Sequence, residues 1–374
     1  MKAENQKRII ISGGGTGGHI FPAIAIANAI VRLEPSADIL FVGALGRMEM
    51  EKVPAAGYRI IGLNIQGFQR RSIIKNLLLP FKILKSILKA KAILRNFRPH
   101  VAIGVGGYAS GPLLIAARQE QIPYLVQEQN SYAGRTNKYL GERAEKVCVA
   151  FDDMDLFFPS EKILFTGNPI RKEVVEIAGK KEAGLAYHGL SVNKKTLLIT
   201  GGSLGAQTLN ESVMMALDKI MEAEVQVIWQ CGSYYFEAYN RQLNDEYRKY
   251  IILTPFLQKM DMAYAAADII ISRAGAGTIA ELCAVAKPMI LVPSPNVAED
   301  HQTRNAEALV NKNAALLVKD HEAKERLIEQ AIVLLENSIQ CDELSRNSKK
   351  LAILNADELI AHEVLAIAET HRVN

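Results

Sequence analysis

Short, almost wholly apolar runs recur along this chain between longer mixed stretches. The first series comprises Ile9-Ile10-Ile11, Ile39-Leu40-Phe41-Val42, Val101-Ala102-Ile103-Gly104-Val105, Tyr124-Leu125-Val126 and Val147-Cys148-Val149-Ala150. Runs that stay apolar instead of alternating predict strands buried on both faces of a parallel sheet, with the intervening stretches as covering helices. A second series begins with Thr196-Leu197-Leu198-Ile199 and continues through Val225-Gln226-Val227-Ile228-Trp229, Tyr250-Ile251-Ile252-Leu253, Asp268-Ile269-Ile270-Ile271 and Pro288-Met289-Ile290-Leu291-Val292. Each series opens on its own glycine turn: Gly13-Gly14-Gly15-Thr16-Gly17-Gly18-His19 and, about 190 residues on, Gly201-Gly202-Ser203-Leu204-Gly205-Ala206. Glycines after a strand let the backbone turn sharply and present N–H groups at the start of the next helix, where anions bind. The predicted fold is α/β, with two Rossmann-like domains facing across a cleft where a nucleotide-linked substrate would meet a second one.

Phe158-Pro159-Ser160 and Gly167-Asn168-Pro169-Ile170-Arg171 supply the turn residues of an interdomain connection, which puts the first domain at 1–167 and the second at 168–356. The last stretch reads as a helix carrying Leu359, Ile360, Val364, Leu365 and Ile367. Periodicity does not say where that helix packs; we assign it, about 357–374, back to the first domain.

Composition sharpens this picture. The 374 residues suit two domains of roughly 150 to 200 residues, and 49% hydrophobic with 22% charged content fits a soluble globular chain. Cys148, Cys231, Cys283 and Cys341 form no CxxC pair and predict reduced thiols. The polar residues 1 to 8 leave no room for a signal peptide before Ile9, so the expected address is cytosolic. The net charge of +4 hides an asymmetry: residues 52–119 hold twelve Lys or Arg and no acid, leaving 32 bases against 40 acids elsewhere. Within that region, residues 73–89 mix large apolar side chains (Ile74, Leu78, Phe81) with spaced lysines (Lys82, Lys85, Lys89). This is the pattern of a surface lying on an anionic membrane, and equally of an amphipathic helix packed on its own sheet. The lysines exclude a spanning helix, and the scarcity of aromatics argues against nucleic acid.

Gly13, Gly15 and Gly18 satisfy the dinucleotide GxGxxG spacing, but a ribose-binding acid should close the second strand, and Asp38 precedes it instead. His19 closes the same loop. A lone histidine commonly bonds a carbonyl or caps a helix, yet this position faces the cleft mouth, and imidazole suits proton transfer near neutral pH. A third glycine turn, Gly104-Val105-Gly106-Gly107-Tyr108, reads either as tight helix-to-sheet packing or as a second anion site. The polar run Gln127-Glu128-Gln129-Asn130 at a strand end is expected outside the core, as a reader of sugar hydroxyls. Ser272-Arg273-Ala274-Gly275 leads into the helix start Ala276-Gly277-Thr278, with Glu281 one turn on, placed to accept ribose hydroxyls or simply to serve as a helix-terminal acid. Arg171 and Arg273 are the available phosphate partners. No grouping has metal-ligand spacing; the pair Asp300 and His301 is too little for a site.

In order along nearly the whole chain, Gly14 to His19, Gly104 to Tyr108, Glu128-Gln129-Asn130, Gly167 to Arg171, Gly201 to Ala206, Ser272 to Gly275, and Gln302 with Asn305-Ala306 resemble the inverting two-domain glycosyltransferases of the MurG type. The resemblance implies GT-B architecture. It also implies transfer of N-acetylglucosamine from UDP-N-acetylglucosamine to undecaprenyl-pyrophosphoryl-N-acetylmuramyl-pentapeptide, with no cofactor or essential metal. It assigns the second domain to the donor: Ser203 and Arg171 at the phosphates, Leu257 against uracil, and Ala276, Gly277 and Thr278 along the nucleotide. Glu281 falls to the ribose and Gln302 to the sugar hydroxyls. Gly15, Thr16, Gly17, His19 and Asn130 would complete the donor sugar site, and Gly104, Gly106, Gly107 and Tyr108 would face the acceptor pyrophosphate. The family often has His where this chain has Gln127, which weakens any role there.

The same resemblance favours membrane docking of residues 73–89, since a polyprenyl-linked acceptor stays in the bilayer. For such a transfer His19 is the candidate to remove the proton from the attacking 4-hydroxyl, the alternative being that it only orients the donor sugar. Two other readings stay open: a UDP-N-acetylglucosamine 2-epimerase, needing no lipid acceptor, and a sensor that binds the donor without turnover.

Overall fold

In the computed structural model the apolar runs form two all-parallel sheets. The structure describes residues 6–65 and 79–371. Strands β1 (Arg8–Ser12), β2 (Asp38–Ala44), β3 (Arg59–Leu63), β4 (Val101–Gly104), β5 (Tyr124–Glu128), β6 (Lys146–Val149) and β7 (Ile163–Phe165) join in the order β3-β2-β1-β4-β5-β6-β7. A second sheet joins β8 (Thr196–Thr200), β9 (Gln226–Gln230), β10 (Ile251–Thr254), β11 (Ile269–Ser272), β12 (Met289–Leu291) and β13 (Leu316–Leu317) as β10-β9-β8-β11-β12-β13. Ile9, Ile10, Ile11, Leu197, Leu198 and Ile199 are all buried, as strands covered by helices on both faces require.

In both sheets the strand order reverses beside the opening strand, between β1 and β4 and between β8 and β11. Loops that leave such a reversal point diverge to opposite faces and open a crevice at the carboxyl ends of the strands, the usual ligand position in open parallel sheets. The glycine turns after β1, β4 and β8 and the Arg273-Ala274-Gly275 turn after β11 all lie there.

The chain divides into two compact units, Met1–Ile170 with Asn355–Asn374, and Arg171–Leu354. The C-terminal helix Ala356–Thr370 buries Ile360, Ala361 and Val364 among Ile20, Ala27 and Ile30 of the helix Gly17–Leu33. Arg32 fastens it further, its Nη2 donating to Asp357 Oδ2 at 2.7 Å.

The helix Leu79–Phe97 packs Ala90, Ile93 and Leu94 into the first unit's core. Its far side nevertheless exposes Phe81 at 66%, Leu88 at 58% and, between them, Leu84. Ile74 and Leu78, expected on the same surface, lie outside the described residues. Lys85 is exposed and Lys82 partly so. Lys89 is exposed as well, and its ammonium donates to the Gly62 carbonyl at the end of β3 at 2.7 Å. Among the described residues no helix is long and apolar enough to cross a membrane.

Candidate functional site

In the first unit the glycine turns after β1 and β4 are built against each other. A Cβ on Gly107 would sit 2.2 Å from the Gly14 carbonyl oxygen, and one on Gly106 would lie 2.6 Å from His19 Cδ2. Both residues also take positive φ, +91° and +96°, which only glycine adopts without strain. A Cβ on Gly104 would meet Leu114 Cδ1 at 2.5 Å, the tight helix-to-sheet contact. This packing leaves Tyr108 half exposed, with the Arg47 guanidinium 5.7 Å from its ring centroid.

His19 lies in the first turn of the helix Gly17–Leu33, with its ring turned back on the loop. Nδ1 lies 3.1 Å from the Gly14 carbonyl oxygen and 3.4 Å from Thr16 Oγ1. A carbonyl only accepts, so this contact places the hydrogen on Nδ1, which in the neutral ring makes Nε2 the basic nitrogen. This is the tautomer a proton acceptor at Nε2 requires.

Sequence reasoning missed the residue that braces this loop. Glu49, only 1% exposed, accepts the Gly15 N–H at Oε2, 2.8 Å, and the Ala44 N–H at Oε1, 2.9 Å. Asp38 indeed stands at the wrong end of β2, where it pairs with Arg59. The acid beneath the glycine loop comes instead from the helix Glu49–Ala55, folded back over the strand end. A legible signal existed in the two glycines that make room: Cβ atoms on Gly14 and Gly43 would fall 2.3 Å from Glu49 Oε1 and 2.6 Å from Glu49 Cγ.

The run Gln127-Glu128-Gln129 corrects an expectation, since all three are buried. Gln127 Nε2 donates to Asn168 Oδ1 at 3.0 Å, Gln129 Nε2 donates to Gln127 Oε1 and to the Val105 carbonyl, and Asn168 Nδ2 donates to the Gln129 carbonyl. Glu128 accepts from the N–H groups of Asn130 and Gly134 and from Asn137 Nδ2. Polar residues enter the core here because they satisfy one another. Only Asn130 rises to the half-exposed surface, its side-chain amide also donating to Glu128.

In the second unit the turn after β8 rests on neutral groups. Thr200 Oγ1 donates to Gln230 Oε1 at 2.9 Å, Gly202 N–H donates to Thr200 Oγ1 at 3.2 Å, and Gln230 Nε2 donates to the Gly202 carbonyl at 3.1 Å. Gly205 is jammed against β9's exit, where its Cβ would lie 1.9 Å from the Cys231 carbonyl oxygen. Ser203 stands exposed at the tip. The helix Ala276–Val285 starts after the extended Gly275, and a Cβ on Gly277 would meet nothing within 4 Å. Ala276, Gly277 and Thr278 form the first turn of this helix. Leu257, on the segment after β10, is buried.

Arg171 and Glu281, expected on separate parts of a nucleotide, are paired with each other. Nε and Nη2 of Arg171 donate to the two oxygens of Glu281 at 2.8 and 2.9 Å, and the buried Tyr264 hydroxyl lies 3.4 Å from Oε2. Burial first, and then Glu281, push the Tyr264 phenol well above its ordinary range and keep it a donor. Arg273 is structural: Nη1 donates to Asp320 Oδ1 and to the Val292 and Pro293 carbonyls. Gln302 spends its carbonyl oxygen on the Ser294 N–H at 2.8 Å, and Asn305 Nδ2 donates to the Ala274 carbonyl.

Burial pushes the Cys148 and Cys283 thiols up to about 12 and Cys231 up to about 11, so none of these is a ready nucleophile. Among the described residues no three His, Cys, Asp or Glu side chains gather as a metal site.

Residues 9–149 match the glycosyltransferase family 28 N-terminal domain and residues 196–363 the family 28 C-terminal domain. The chain is 53% identical over 370 residues to the UDP-N-acetylglucosamine–N-acetylmuramyl-(pentapeptide) pyrophosphoryl-undecaprenol N-acetylglucosamine transferase of Phocaeicola vulgatus, covering 99% of this chain and 98% of that one. The protein of the same name from Parabacteroides distasonis is 51% identical over 362 residues, covering 97% and 98%. Among solved structures, Acinetobacter baumannii MurG superposes with a TM-score of 0.79 at 31% identity, covering 96% of this chain and 99% of that chain. A UDP-N-acetylglucosamine 2-epimerase covers 99% of this chain and 98% of its own with a TM-score of 0.63, but at 15% identity it shares the fold alone.

Proposed function

The chain belongs to glycosyltransferase family 28, and from that premise we propose how its own residues perform the transfer. It is an inverting transferase that moves N-acetylglucosamine from UDP-N-acetylglucosamine to lipid-linked N-acetylmuramyl-pentapeptide. The reaction is a single displacement: the acceptor 4-hydroxyl attacks the anomeric carbon opposite the departing UDP, giving a β linkage from an α donor.

One observation carries the catalytic reading, the Nδ1 hydrogen of His19 bonded to the Gly14 carbonyl. It leaves Nε2 to take the hydroxyl proton, a contribution typically worth about 10² to 10⁴-fold. Gly15, Thr16, Gly17 and Asn130 hold the donor sugar beside it. Leaving charge on UDP is met by the N–H groups after β8 with Ser203, by those of Ala276, Gly277 and Thr278, and by Arg171. Glu281 takes the ribose, Leu257 the uracil and Gln302 the sugar hydroxyls. Because Arg171 and Glu281 are paired, donor binding shares both groups with the nucleotide, Arg171 turning part of its fork to phosphate. The turn from Gly104 to Tyr108, with Arg47 beside it, receives the acceptor pyrophosphate.

Docking on an anionic membrane, at its cytoplasmic face, completes the reading. Phe81, Leu84 and Leu88 form an apolar stripe on the solvent side of a helix already anchored by its other face, with Lys85 among them. Such a stripe amid basic residues suits an interfacial surface.

The test measures UDP release from UDP-N-acetylglucosamine in EDTA, with and without a lipid-linked muramyl-pentapeptide, with magnesium restored as a control. Acceptor-dependent release with a disaccharide product is expected. Acceptor-independent conversion of the sugar would overturn the transferase reading in favour of an epimerase. Donor binding with no turnover under either condition would favour a sensor.

A further inference from the structure

The carboxylate beneath the first glycine loop and the imidazole above it bond to the two ends of one peptide unit. Glu49 Oε2 accepts the N–H of Gly15, and His19 Nδ1–H donates to the carbonyl of Gly14. These two groups share a single planar, conjugated amide. An amide whose N–H donates to a carboxylate is polarised and becomes a better acceptor at its oxygen.

We propose that Glu49 is a positioning residue of the transfer reaction, acting through the Gly14–Gly15 peptide to hold His19 with Nδ1 protonated and Nε2 ready to accept a proton. This rests on the reading of His19 as the base and places a carboxylate behind the peptide that holds its ring. Glu49 touches no reacting atom. Its second oxygen on the Ala44 N–H ties the carboxylate to the end of β2, so the brace is rigid. Gly106 closes the other side of the ring, since any side chain there would strike Cδ2. The charged and titratable groups packed about this loop include Glu49 from the helix after β2 and Tyr108 from the turn after β4, with Arg47 over the Tyr108 ring. When His19 takes a proton, the Glu49 charge stabilises the imidazolium through the peptide, as a directly bonded carboxylate does in a triad. It thereby also raises the basicity of Nε2.

The experiment uses the full-length protein and its E49Q, E49D and H19A variants. Glutamine keeps the size of the side chain but removes the charge and sets an amide NH₂ against one of the two N–H donors. Loss of kcat of about tenfold is expected for E49Q, as for other groups that orient a functional histidine, with KM for UDP-N-acetylglucosamine little changed. The acid limb of the pH profile should move to lower pH, because losing the carboxylate makes the imidazolium easier to deprotonate. Nitrogen-15 spectra, with the His19 signal assigned from H19A, should show the Nδ1–H tautomer in the unsubstituted protein and the same downward movement of its titration in E49Q. In the H19A background E49Q should cost little more.

An unmoved His19 titration in folded E49Q overturns the proposal and leaves Glu49 a mere brace. So does an Nε2–H tautomer in the unsubstituted protein, a result that needs no Glu49 variant to fold. Should E49Q not fold, E49D, which keeps the charge on a shorter arm, should keep the titration near normal while lowering kcat; a titration displaced as far as that of neutral histidine peptides overturns it. If instead H19A retains kcat and only raises KM, the base reading fails while the tautomer result still stands or falls by itself.

Discussion

The two glycine turns that open the two sheets are alike in composition and differ in what lies under them. Both leave the first strand of a parallel sheet at its reversal point and lead into a helix. Beneath the first sits the buried Glu49 carboxylate, already holding the Gly15 N–H. Beneath the second, the bonds run to the neutral Thr200 hydroxyl and Gln230 amide. A phosphate about 5 Å from a carboxylate is repelled by ~3 kcal/mol per pair of unit charges at an effective dielectric constant near 20. The carboxylate therefore makes the first turn a poor phosphate cradle and favours positive charge on a ring seated there. The neutral groups that brace the second impose no such repulsion on a diphosphate. Glycine spacing alone describes where a backbone can bend; the charge below the bend decides what it binds.

The largest break of this comparison is His19→Ala, which should lower kcat by about 10² to 10⁴-fold while UDP affinity in the second unit stays intact. Single-turnover kinetics paired with calorimetry of UDP binding checks it; an unchanged kcat would reduce His19 to a donor-positioning group.

A double dissociation comes next. Gly107→Ala forces a Cβ to 2.2 Å from the Gly14 carbonyl at a positive φ, and Gly205→Ala forces one to 1.9 Å from the Cys231 carbonyl. Strain of about 1–3 kcal/mol at such a site predicts losses up to about 10²-fold. Gly107→Ala should strike turnover and spare UDP binding, whereas Gly205→Ala should strike UDP binding itself. Equal damage to both readouts from either variant would mean that the turns do not divide the work.

Arg171→Ala should weaken UDP binding by about tenfold, near the lower value of a charge-assisted hydrogen bond. Glu281→Gln sharpens the point: it frees Arg171 for phosphate yet removes a ribose acceptor, so it should weaken uridine more than it weakens UDP. Calorimetry with both ligands separates the two terms.

Most of the scaffold was legible because buried parallel strands announce themselves as unbroken apolar runs. The strands β3, β7 and β13 were not read: β3 begins with the exposed Arg59, β7 is only partly buried, and β13 is two residues long. Site residues on glycine turns were legible through the turns themselves. Glu49 was not, because its carboxylate reaches back to Ala44 and across to Gly15, and Gly14 and Gly43 become its signal only once β1 and β2 lie side by side. Gln127 and Gln129 misled for the same reason, since their partners Val105 and Asn168 come from distant segments. Lys89 and Arg273 read as free cations and are instead bound to backbone carbonyls and, for Arg273, to Asp320.

The smallest expected effect extends the comparison from the loops to the surfaces. The acid-free region 52–119 belongs wholly to the unit with the His19 loop, while the remainder of the chain carries 32 bases against 40 acids. A basic surface should draw that unit to an anionic bilayer more strongly than the second unit. Each lysine near such a bilayer is worth about 1 kcal/mol, or roughly fivefold in partitioning. Lys82→Glu and Lys85→Glu together should therefore release the protein from phosphatidylglycerol vesicles in a flotation assay while sparing activity on a detergent-solubilised acceptor. Lys89→Glu should add to the release, because that ammonium keeps its charge while it bonds the Gly62 carbonyl. Raised salt should weaken the lysine contribution, since exposed charges are screened, and leave that of Phe81, Leu84 and Leu88. Binding that ignores both salt and the lysines would mean that the apolar stripe alone does the docking.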